Sequence, residues 1–154
     1  ETLLAWTGML SKAPSDKILI CQPNDNIAAF MGELSAEYLL KKNIRGYIAD
    51  GGCRDVEFIN NINFPVWSKF NTPKDVVGYW KPDVLEEKIT IGDVIINNND
   101  YVMADIDGVV IIPENNIMDI LEKSELLINT ESKVRQSIRE GMDPQEAYIK
   151  YSAF

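Results

Sequence analysis

The sequence predicts an α/β fold, and three observations support this class. A continuous apolar run, Ile18-Leu19-Ile20-Cys21, is typical of a strand that is covered on both faces. Met31, Leu34, Tyr38 and Leu39 recur at helical spacing and indicate an amphipathic helix. A second short apolar run at 46–49 then indicates another strand. Strands and helices that alternate along one chain favour the α/β class.

In the first half of the chain, a helix over 1–10 precedes a strand over 17–22. The amphipathic helix begins at Gly32 and ends near Asn43. Strand 46–49 leads into Asp50-Gly51-Gly52, which we predict to be a tight turn. That turn would deliver Cys53, Arg54 and Asp55 to the start of a short helix that ends near residue 60.

In the second half, short apolar runs predict strands over 64–67, 88–91, 94–96, 101–104 and 109–112, and the last four have hairpin-like spacing. A helix follows over 116–140, with a break near Ser124 or Asn129 and Gly141 after its end. Asp143 is the expected N-cap of a last helix. No repeat or linker divides the chain, so we expect one compact domain over 1–154.

Composition and charge exclude several classes of function. The net charge is −9 and no Lys/Arg run exceeds two residues, which argues against nucleic acid or an anionic membrane surface as a partner. The chain has only two cysteines, Cys21 and Cys53, and they show no regular pairing pattern, which argues against a disulfide framework. We therefore expect a reducing, cytoplasmic compartment. The chain has no histidine, which excludes a histidine triad, a histidine-ligated zinc and a histidine base. No apolar run approaches a membrane span.

The residues around 32–55 are the best candidates for a functional site. The first turn of the predicted helix offers amides at Glu33, Leu34 and Ser35 that suit an anion. Arg54 offers a fork for a carboxylate, and Asp55 offers a hard oxygen ligand of the kind that Mg²⁺ takes together with water. Each has a structural alternative: a helix N-cap or an Arg54 partner for Asp55, a surface salt bridge for Arg54, and a favourable helix dipole for Glu33. The pattern indicates an anionic, metal-chelating substrate.

Other polar motifs are interpreted as structural. Asp105 and Asp107 belong to a turn between two strands. Cys53 has no histidine to activate it, so we expect a small packed side chain rather than a nucleophile. A Gly-x-Gly-x-x-Gly loop, as a nucleotide or methyl-donor site requires, is absent.

Longer motifs resemble the RraA-like family, which includes the metal-dependent 4-hydroxy-4-methyl-2-oxoglutarate aldolases and the regulator of ribonuclease E activity A. The resemblance rests on Gly32-Glu33-Leu34-Ser35-Ala36, on residues 46–55, on Phe64-Pro65-Val66, on Thr72-Pro73, on residues 104–113 and on residues 131–151. It implies a swivelling β/β/α arrangement of layered helices and mixed sheet. It also implies homotrimers, or hexamers built from them, with sites between subunits. Family members usually carry a further N-terminal helix and strands, so we expect that this chain lacks them.

The resemblance also implies roles for individual residues. Asp55 matches the aspartate that binds the divalent metal, which we expect to be Mg²⁺ or Mn²⁺. Arg54 matches the arginine that contacts the 2-oxo acid, and Glu33 matches an acidic residue that orients metal-bound water. The backbone at Gly32, Leu34 and Ser35 would then bind the substrate carboxylate. Glu131 stands near the position of an acidic residue that reaches the metal waters from a neighbouring subunit.

Three hypotheses of function follow from these residues and the resemblance. The first is a divalent-metal-dependent lyase that cleaves a carbon–carbon bond of a small 2-oxo acid, as an aldolase or an oxaloacetate decarboxylase, through a metal-bound pyruvate enolate. The second is a protein-binding regulator of ribonuclease activity without catalysis. In that branch of the family the Arg-Asp pair is not kept intact, whereas Arg54-Asp55 is complete here. The third is another metabolic lyase with a pocket lined by Trp67, Lys69, Tyr79 and Trp80.

Overall fold

The computed structural model describes residues 1–154, which form two compact units, Glu1–Ile111 and Ile112–Phe154. The first unit contains three helices and nearly all of the strands, and the second is helical. No helix combines the length and the apolar composition that crossing a membrane requires. The α/β class predicted from the sequence is confirmed, and the single domain over 1–154 stays a prediction.

The central sheet of the first unit is parallel, in the order β1-β2-β3. Its strands are β1 (Ile18–Cys21), β2 (Gly46–Cys53) and β3 (Val66–Asn71). The register pairs Ile18 with Gly46, and Tyr47 with Val66. β2 is buried because it lies in the middle, whereas β1 lies at one edge and is only half-buried, so the prediction of a strand covered on both faces is wrong for β1. The carboxyl ends of parallel strands meet at one edge, where α/β proteins commonly bind ligands.

Three helices connect and cover these strands. They are α1 (Thr2–Lys12), α2 (Glu33–Lys41) and α3 (Val56–Asn61). In α2 the buried residues are Ala36 and Leu39, while Leu34 and Tyr38 are exposed. The apolar spacing therefore predicted the helix correctly and its buried face only in part. Tyr47 of β2, Phe30, Met31, Leu39 and Ile59 are the largest fully buried side chains of the core.

The tight turn predicted at Asp50-Gly51-Gly52 is wrong, because these residues continue β2 through an irregularity in its register with β3. The glycines have a packing role instead. A Cβ atom on Gly51 would lie 2.6 Å from a ring carbon of Phe30, and one on Gly52 would lie 2.6 Å from the carbonyl oxygen of Ala28. Residues 28–30 can therefore pack directly against the strand only because both positions lack a side chain.

Two hairpins complete the first unit, as the spacing of the apolar runs predicts. The antiparallel pair β4 (Ile89–Ile91) and β5 (Val94–Ile96) is followed by the pair β6 (Tyr101–Ala104) and β7 (Val109–Ile112). Asp105 closes the second turn, since its N–H donates to Gly108 O and its Oδ1 accepts from the N–H of Asp107. The structural interpretation of this Asp-Ile-Asp-Gly turn is confirmed.

In the second unit, a 3₁₀ turn (Glu114–Asn116) precedes α4 (Ile117–Arg139) and α5 (Pro144–Tyr151). α4 is continuous, so the predicted break near Ser124 or Asn129 is wrong. No glycine or proline interrupts this stretch, and the hydroxyls of Thr130 and Ser132 donate to carbonyls one turn earlier within the helix. Gly141 lies beyond its end with a φ of 96°, which suits glycine.

Candidate active site

Three segments of the first unit meet at the carboxyl end of β2. Residues 28–31 run beside the strand, where Phe30 N–H donates to Gly52 O (2.8 Å) and Arg54 N–H donates to Met31 O (2.9 Å). The loop after β3 joins on the other side, since Thr72 N–H donates to Cys53 O (2.9 Å). Ala29 N–H then donates to Lys74 O (2.9 Å) and ties this loop to the first segment. These backbone bonds bring the start of α2, the Arg54-Asp55 pair and residues 72–75 together.

Asp55 occupies an unusual position for an aspartate at a helix start. It is the N-cap residue of α3, but its side chain accepts no hydrogen bond from that helix. Its backbone lies in the left-handed region, with φ 55° and ψ 35°, a conformation that non-glycine residues adopt at a cost. The carboxylate instead reaches α2, where Oδ2 accepts from the N–H of Glu33 at 3.0 Å. The alternative that Asp55 caps its own helix is therefore wrong.

Arg54 lies between two carboxylates. Its Nε is 3.6 Å from Asp55 Oδ2, and its Nη1 is 2.5 Å from Asp75 Oδ2. The side chains of Arg54, Asp55 and Asp75 remain 40%, 37% and 42% exposed, so the cluster faces solvent at the sheet edge. Arg54 does form the salt bridges that its structural alternative predicted, and Asp55 is a partner of Arg54, as one of its own alternatives predicted.

Gly32 makes this arrangement possible. It is the N-cap residue of α2 in an extended conformation. A Cβ atom there would lie 2.8 Å from Arg54 Nε and 2.9 Å from Asp55 Oδ2. Both side chains can approach the first turn of α2 only because position 32 has no side chain.

The first turn of α2 keeps only part of its predicted anion-binding capacity. The amide of Glu33 already donates to Asp55, so it is not free as the sequence suggested. The amides of Leu34 and Ser35 belong to the same turn, which provides no intrahelical acceptor for them. Ser35 Oγ accepts from Trp6 Nε1 at 2.9 Å, which fixes this turn against α1. The Glu33 side chain is exposed beside the cluster.

Two neighbouring groups have shifted pKa values. The pKa of Asp75 is lowered, chiefly by the N–H of Val77 and then by the hydrogen bond from Arg54, so Asp75 carries its charge at neutral pH. Burial, with a smaller effect of the nearby Asp55 charge, raises the pKa of Cys53 to about 11. Cys53 is therefore a packed thiol, as the sequence predicts, and not a thiolate nucleophile.

The donor atoms around Asp55 fit a hydrated divalent cation. The Asp55 carboxylate accepts a hydrogen bond at Oδ2 from the N–H of Glu33, and the side chain is partly exposed. No three acidic or cysteine side chains of the chain come together as a ligand set. A cation on Asp55 would thus keep most of its ligands as water, which is how Mg²⁺ commonly binds to proteins.

Glu131 lies on α4 in the second unit, where it is exposed. It borders a hollow of about 440 Å³ together with Val134, Arg135, Ile138, Arg139 and Phe154. Its role as a ligand of metal waters from a neighbouring subunit stays a prediction.

A separate cavity of about 710 Å³ lies on the first unit, and neither Arg54 nor Asp55 lines it. Trp67 and Lys69 line it, and Lys69 Nζ is 2.5 Å from Asp50 Oδ1. Trp80 instead packs edge-on against Phe30, with ring centroids 4.9 Å apart. Tyr79 does not border this cavity either, so the four residues suggested for an alternative pocket do not line it together.

Asp75 is the member of the cluster that sequence reasoning missed. It belongs to no motif and follows Arg54 by twenty-one positions in the sequence. Its one available signal was its place in the loop after a parallel strand, at the edge where such sheets bind ligands.

Comparison with known proteins assigns this chain to a family. The chain is 24% identical over 152 residues to a candidate 4-hydroxy-4-methyl-2-oxoglutarate aldolase of Halalkalibacterium halodurans, covering 97% of this chain and 71% of that protein. Two other curated relatives are longer, and the chain spans 23% of one and 55% of the other.

Solved structures agree on the fold. An uncharacterized protein of Pseudomonas syringae pv. tomato superposes with a TM-score of 0.90 at 18% identity, over 98% of this chain and 71% of that one. RraAS2 of Streptomyces coelicolor, described as an unusual member of the RNase ES inhibitor RraA family, gives 0.79 at 22% identity, over 87% and 69%. The family model described as "RraA-like: Aldolase/RraA" matches residues 2–111. The chain therefore belongs to the RraA-like family.

Proposed function

We propose that this chain is a divalent-metal-dependent lyase that cleaves a carbon–carbon bond of a small 2-oxo acid and releases pyruvate. The substrate would be oxaloacetate or a 4-hydroxy-4-methyl-2-oxoglutarate-type diacid. One observation carries the proposal: Arg54 and Asp55 are adjacent residues at the carboxyl end of β2, and their side chains are 40% and 37% exposed. The Asp55 carboxylate can bind a cation, and the Arg54 guanidinium next to it can bind an anion.

Arg54 and the first turn of α2 would bind the acid. The exposed part of the guanidinium would pair with a carboxylate, and the amides of Leu34 and Ser35 would donate to its oxygens at the positive end of the helix dipole. When the carbon–carbon bond breaks, its electrons move onto the 2-oxygen of the pyruvate fragment. Arg54 would stabilise the negative charge that develops there, which is how such a group lowers a barrier.

Asp55 would hold the cation, with Mg²⁺ or Mn²⁺ as the expected ions. Bound there, a divalent cation supplies electrophilic polarisation of the 2-keto group. Asp55 is itself oriented by the Glu33 amide and by Arg54, so its carboxylate keeps a defined direction.

Glu33 would move the proton. In aldol cleavage a water oriented by its carboxylate would take the proton of the 4-hydroxyl group and later return it to carbon 3 to give the methyl group of pyruvate. Decarboxylation needs only the second of these transfers. One site would therefore perform both reactions, because both leave the same enolate.

We also propose a homotrimer or a hexamer, in which Glu131 of one subunit would approach the site of another. Light scattering of the purified chain tests the assembly. A monomer that still catalyses cleavage would contradict the proposed contribution of Glu131.

The test is pyruvate release from both substrates with Mg²⁺ and with chelator, after subtraction of a protein-free blank. Arg54→Ala is compared with Arg45→Ala, a matched change at an exposed arginine that pairs with Asp16. We expect release to require Mg²⁺ and Arg54→Ala to lower kcat/KM by about 10²- to 10³-fold. Arg45→Ala should behave as the parent.

Two results would contradict the lyase. One is release that persists in chelator, and the other is an Arg54→Ala variant that equals Arg45→Ala. A folded chain without turnover or metal binding would favour the alternative, a protein-binding regulator of ribonuclease activity.

A further inference from the structure

We propose that Asp75 is a positioning residue for Arg54, which holds the guanidinium so that its exposed part faces the bound acid. The proposal rests on the proposed function and identifies a residue outside the 32–55 motif. Its starting point is the direct contact of Arg54 Nη1 with Asp75 Oδ2 at 2.5 Å.

The Asp75 carboxylate is itself held in place. Its Oδ1 accepts from the N–H of Val77 at 2.8 Å, which leaves Oδ2 for Arg54. The same loop is tied to the neighbouring segment by the bond from Ala29 N–H to Lys74 O (2.9 Å). Asp75 is therefore a fixed support rather than a freely rotating surface side chain, although it is 42% exposed.

Two contacts determine the plane of a guanidinium. Arg54 has Asp55 beside Nε at 3.6 Å and Asp75 at Nη1, so two of its three nitrogens face carboxylates of the protein. These two contacts fix the orientation of the planar group as a whole. Arginine binds carboxylates through a rigid planar fork, so a fixed plane improves its geometry for a second anion. Without Asp75, the guanidinium would keep only its longer contact with Asp55 at Nε.

A competing role for Asp75 predicts the opposite change in KM when Asp75 is removed. If the substrate carboxylate had to displace Asp75 from Nη1, removal of Asp75 would tighten binding and lower KM. The Arg54 side chain is 40% exposed while it contacts Asp75, so an acid can approach the guanidinium without displacing Asp75, and removal of Asp75 should instead weaken binding and slow the reaction.

The test uses the full chain with Mg²⁺ and compares Asp75→Ala and Asp75→Asn with Asp83→Asn. Asp83 is an exposed aspartate that forms no ion pair in the structure, so it controls for the change in surface charge. For oxaloacetate decarboxylation we expect Asp75→Ala to raise KM and lower kcat, with a loss in kcat/KM of about 10-fold or more. Asp75→Asn should recover part of this loss because its amide oxygen still accepts from Val77 and Arg54.

A second readout does not depend on turnover. The Nε–H resonance of Arg54, identified by its loss in Arg54→Lys, should be resolved in the parent and should move to the position of free arginine side chains in Asp75→Ala. Titration with oxalate, a dianion that resembles the pyruvate enolate, should perturb this resonance in the parent at lower concentration than in Asp75→Ala.

A lower KM in Asp75→Ala would overturn the proposal, and so would a variant that matches Asp83→Asn in both kinetics and the Arg54 resonance. A parent chain without lyase activity would contradict the proposed function alone, because the resonance and the oxalate titration would still decide the role of Asp75.

Discussion

Asp55 and Asp143 both occupy the N-cap position of a helix, one in each unit, but their carboxylates have different partners. Asp143 is in the extended region, and its Oδ1 accepts from the amides of Gln145 (2.8 Å) and Glu146 (3.3 Å) in its own helix. Asp55 is in the left-handed region, and its side chain accepts no hydrogen bond from α3. Its carboxylate reaches the amide of Glu33, which is distant in the sequence.

The difference separates a stabilising residue from a site residue. A carboxylate that caps its own helix satisfies local amides and has little capacity left for a ligand. A carboxylate that is turned away from its helix leaves the local amides unsatisfied, and its conformation costs free energy. Asp55 bears both costs, which agrees with the proposed function, in which its carboxylate serves the site rather than the stability of α3.

The largest expected effect comes from removing the charge of Asp55. Asp55→Asn keeps the shape of the side chain and tolerates the left-handed backbone, so the fold should persist. We expect a loss in Mg²⁺-dependent kcat/KM of about 10³-fold, because a bound cation lowers the activation barrier by several kcal/mol. Asp143→Asn, which preserves a good N-cap, should leave activity unchanged. Equal activity of the two variants in steady-state assays would contradict the proposed difference in function between Asp55 and Asp143.

Gly32→Ala should damage the site with little damage to the fold. The new Cβ would meet Arg54 Nε and Asp55 Oδ2 below 3 Å, and these flexible side-chain ends would move away. We expect activity to fall by about 10²-fold, since small misplacements of a catalytic group have effects of this size. The free energy of unfolding should change by about 1 kcal/mol or less.

Gly8→Ala is the matched control, because a Cβ at this position in α1 meets nothing within 4 Å. It should raise the free energy of unfolding by about 0.5–1 kcal/mol without affecting turnover. Kinetics and urea unfolding on the same samples measure both effects, and an active Gly32→Ala variant would argue against the close approach.

Truncation of Asp143 should show the stabilising function alone. Asp143→Ala removes the cap of α5 and should lower the free energy of unfolding by about 1 kcal/mol. Turnover per folded molecule should match the parent. A urea titration measures the loss, and an unchanged midpoint would show that the cap contributes nothing.

The smallest expected effect is the contribution of Asp75 to the pH dependence of stability. Its pKa is lower in the folded chain than its ordinary value of 3.8, first because of the Val77 amide and then because of Arg54. This contribution to stability is present above 3.8 and is lost as the pH falls through the folded pKa. Asp75→Asn should therefore lose less stability than the parent on acidification below 3.8. Thermal unfolding over a pH series measures the difference.

Local patterns in the sequence predicted most of the fold. The hairpins, the N-cap Asp143 and the place of Arg54-Asp55 after β2 depend on apolar spacing and turn residues within a few positions, so they were predicted correctly. Membership of the RraA-like family was also evident from the motifs.

The errors involve contacts between segments that are distant in the sequence. Asp50-Gly51-Gly52 has the composition of a turn, but it extends as a strand because residues 28–30 pack against it. Leu34 has helical spacing and yet is 78% exposed, because the packing of α2 determines which face is buried. Asp75 could not be placed beside Arg54 without the bond between Lys74 and Ala29. The roles of Asp55, Arg54, Glu33 and Glu131 remain predictions that the family resemblance suggested.

The most direct test of the central claim is a calorimetric titration of Mg²⁺ into the parent, Asp55→Asn and Asp143→Asn. If Asp55 holds the cation, the parent and Asp143→Asn should bind Mg²⁺ alike, and Asp55→Asn should lose about 10- to 100-fold or more in affinity. Equal binding by all three proteins would show that the cation, if it acts at all, is held elsewhere, and it would contradict the assignment of Asp55.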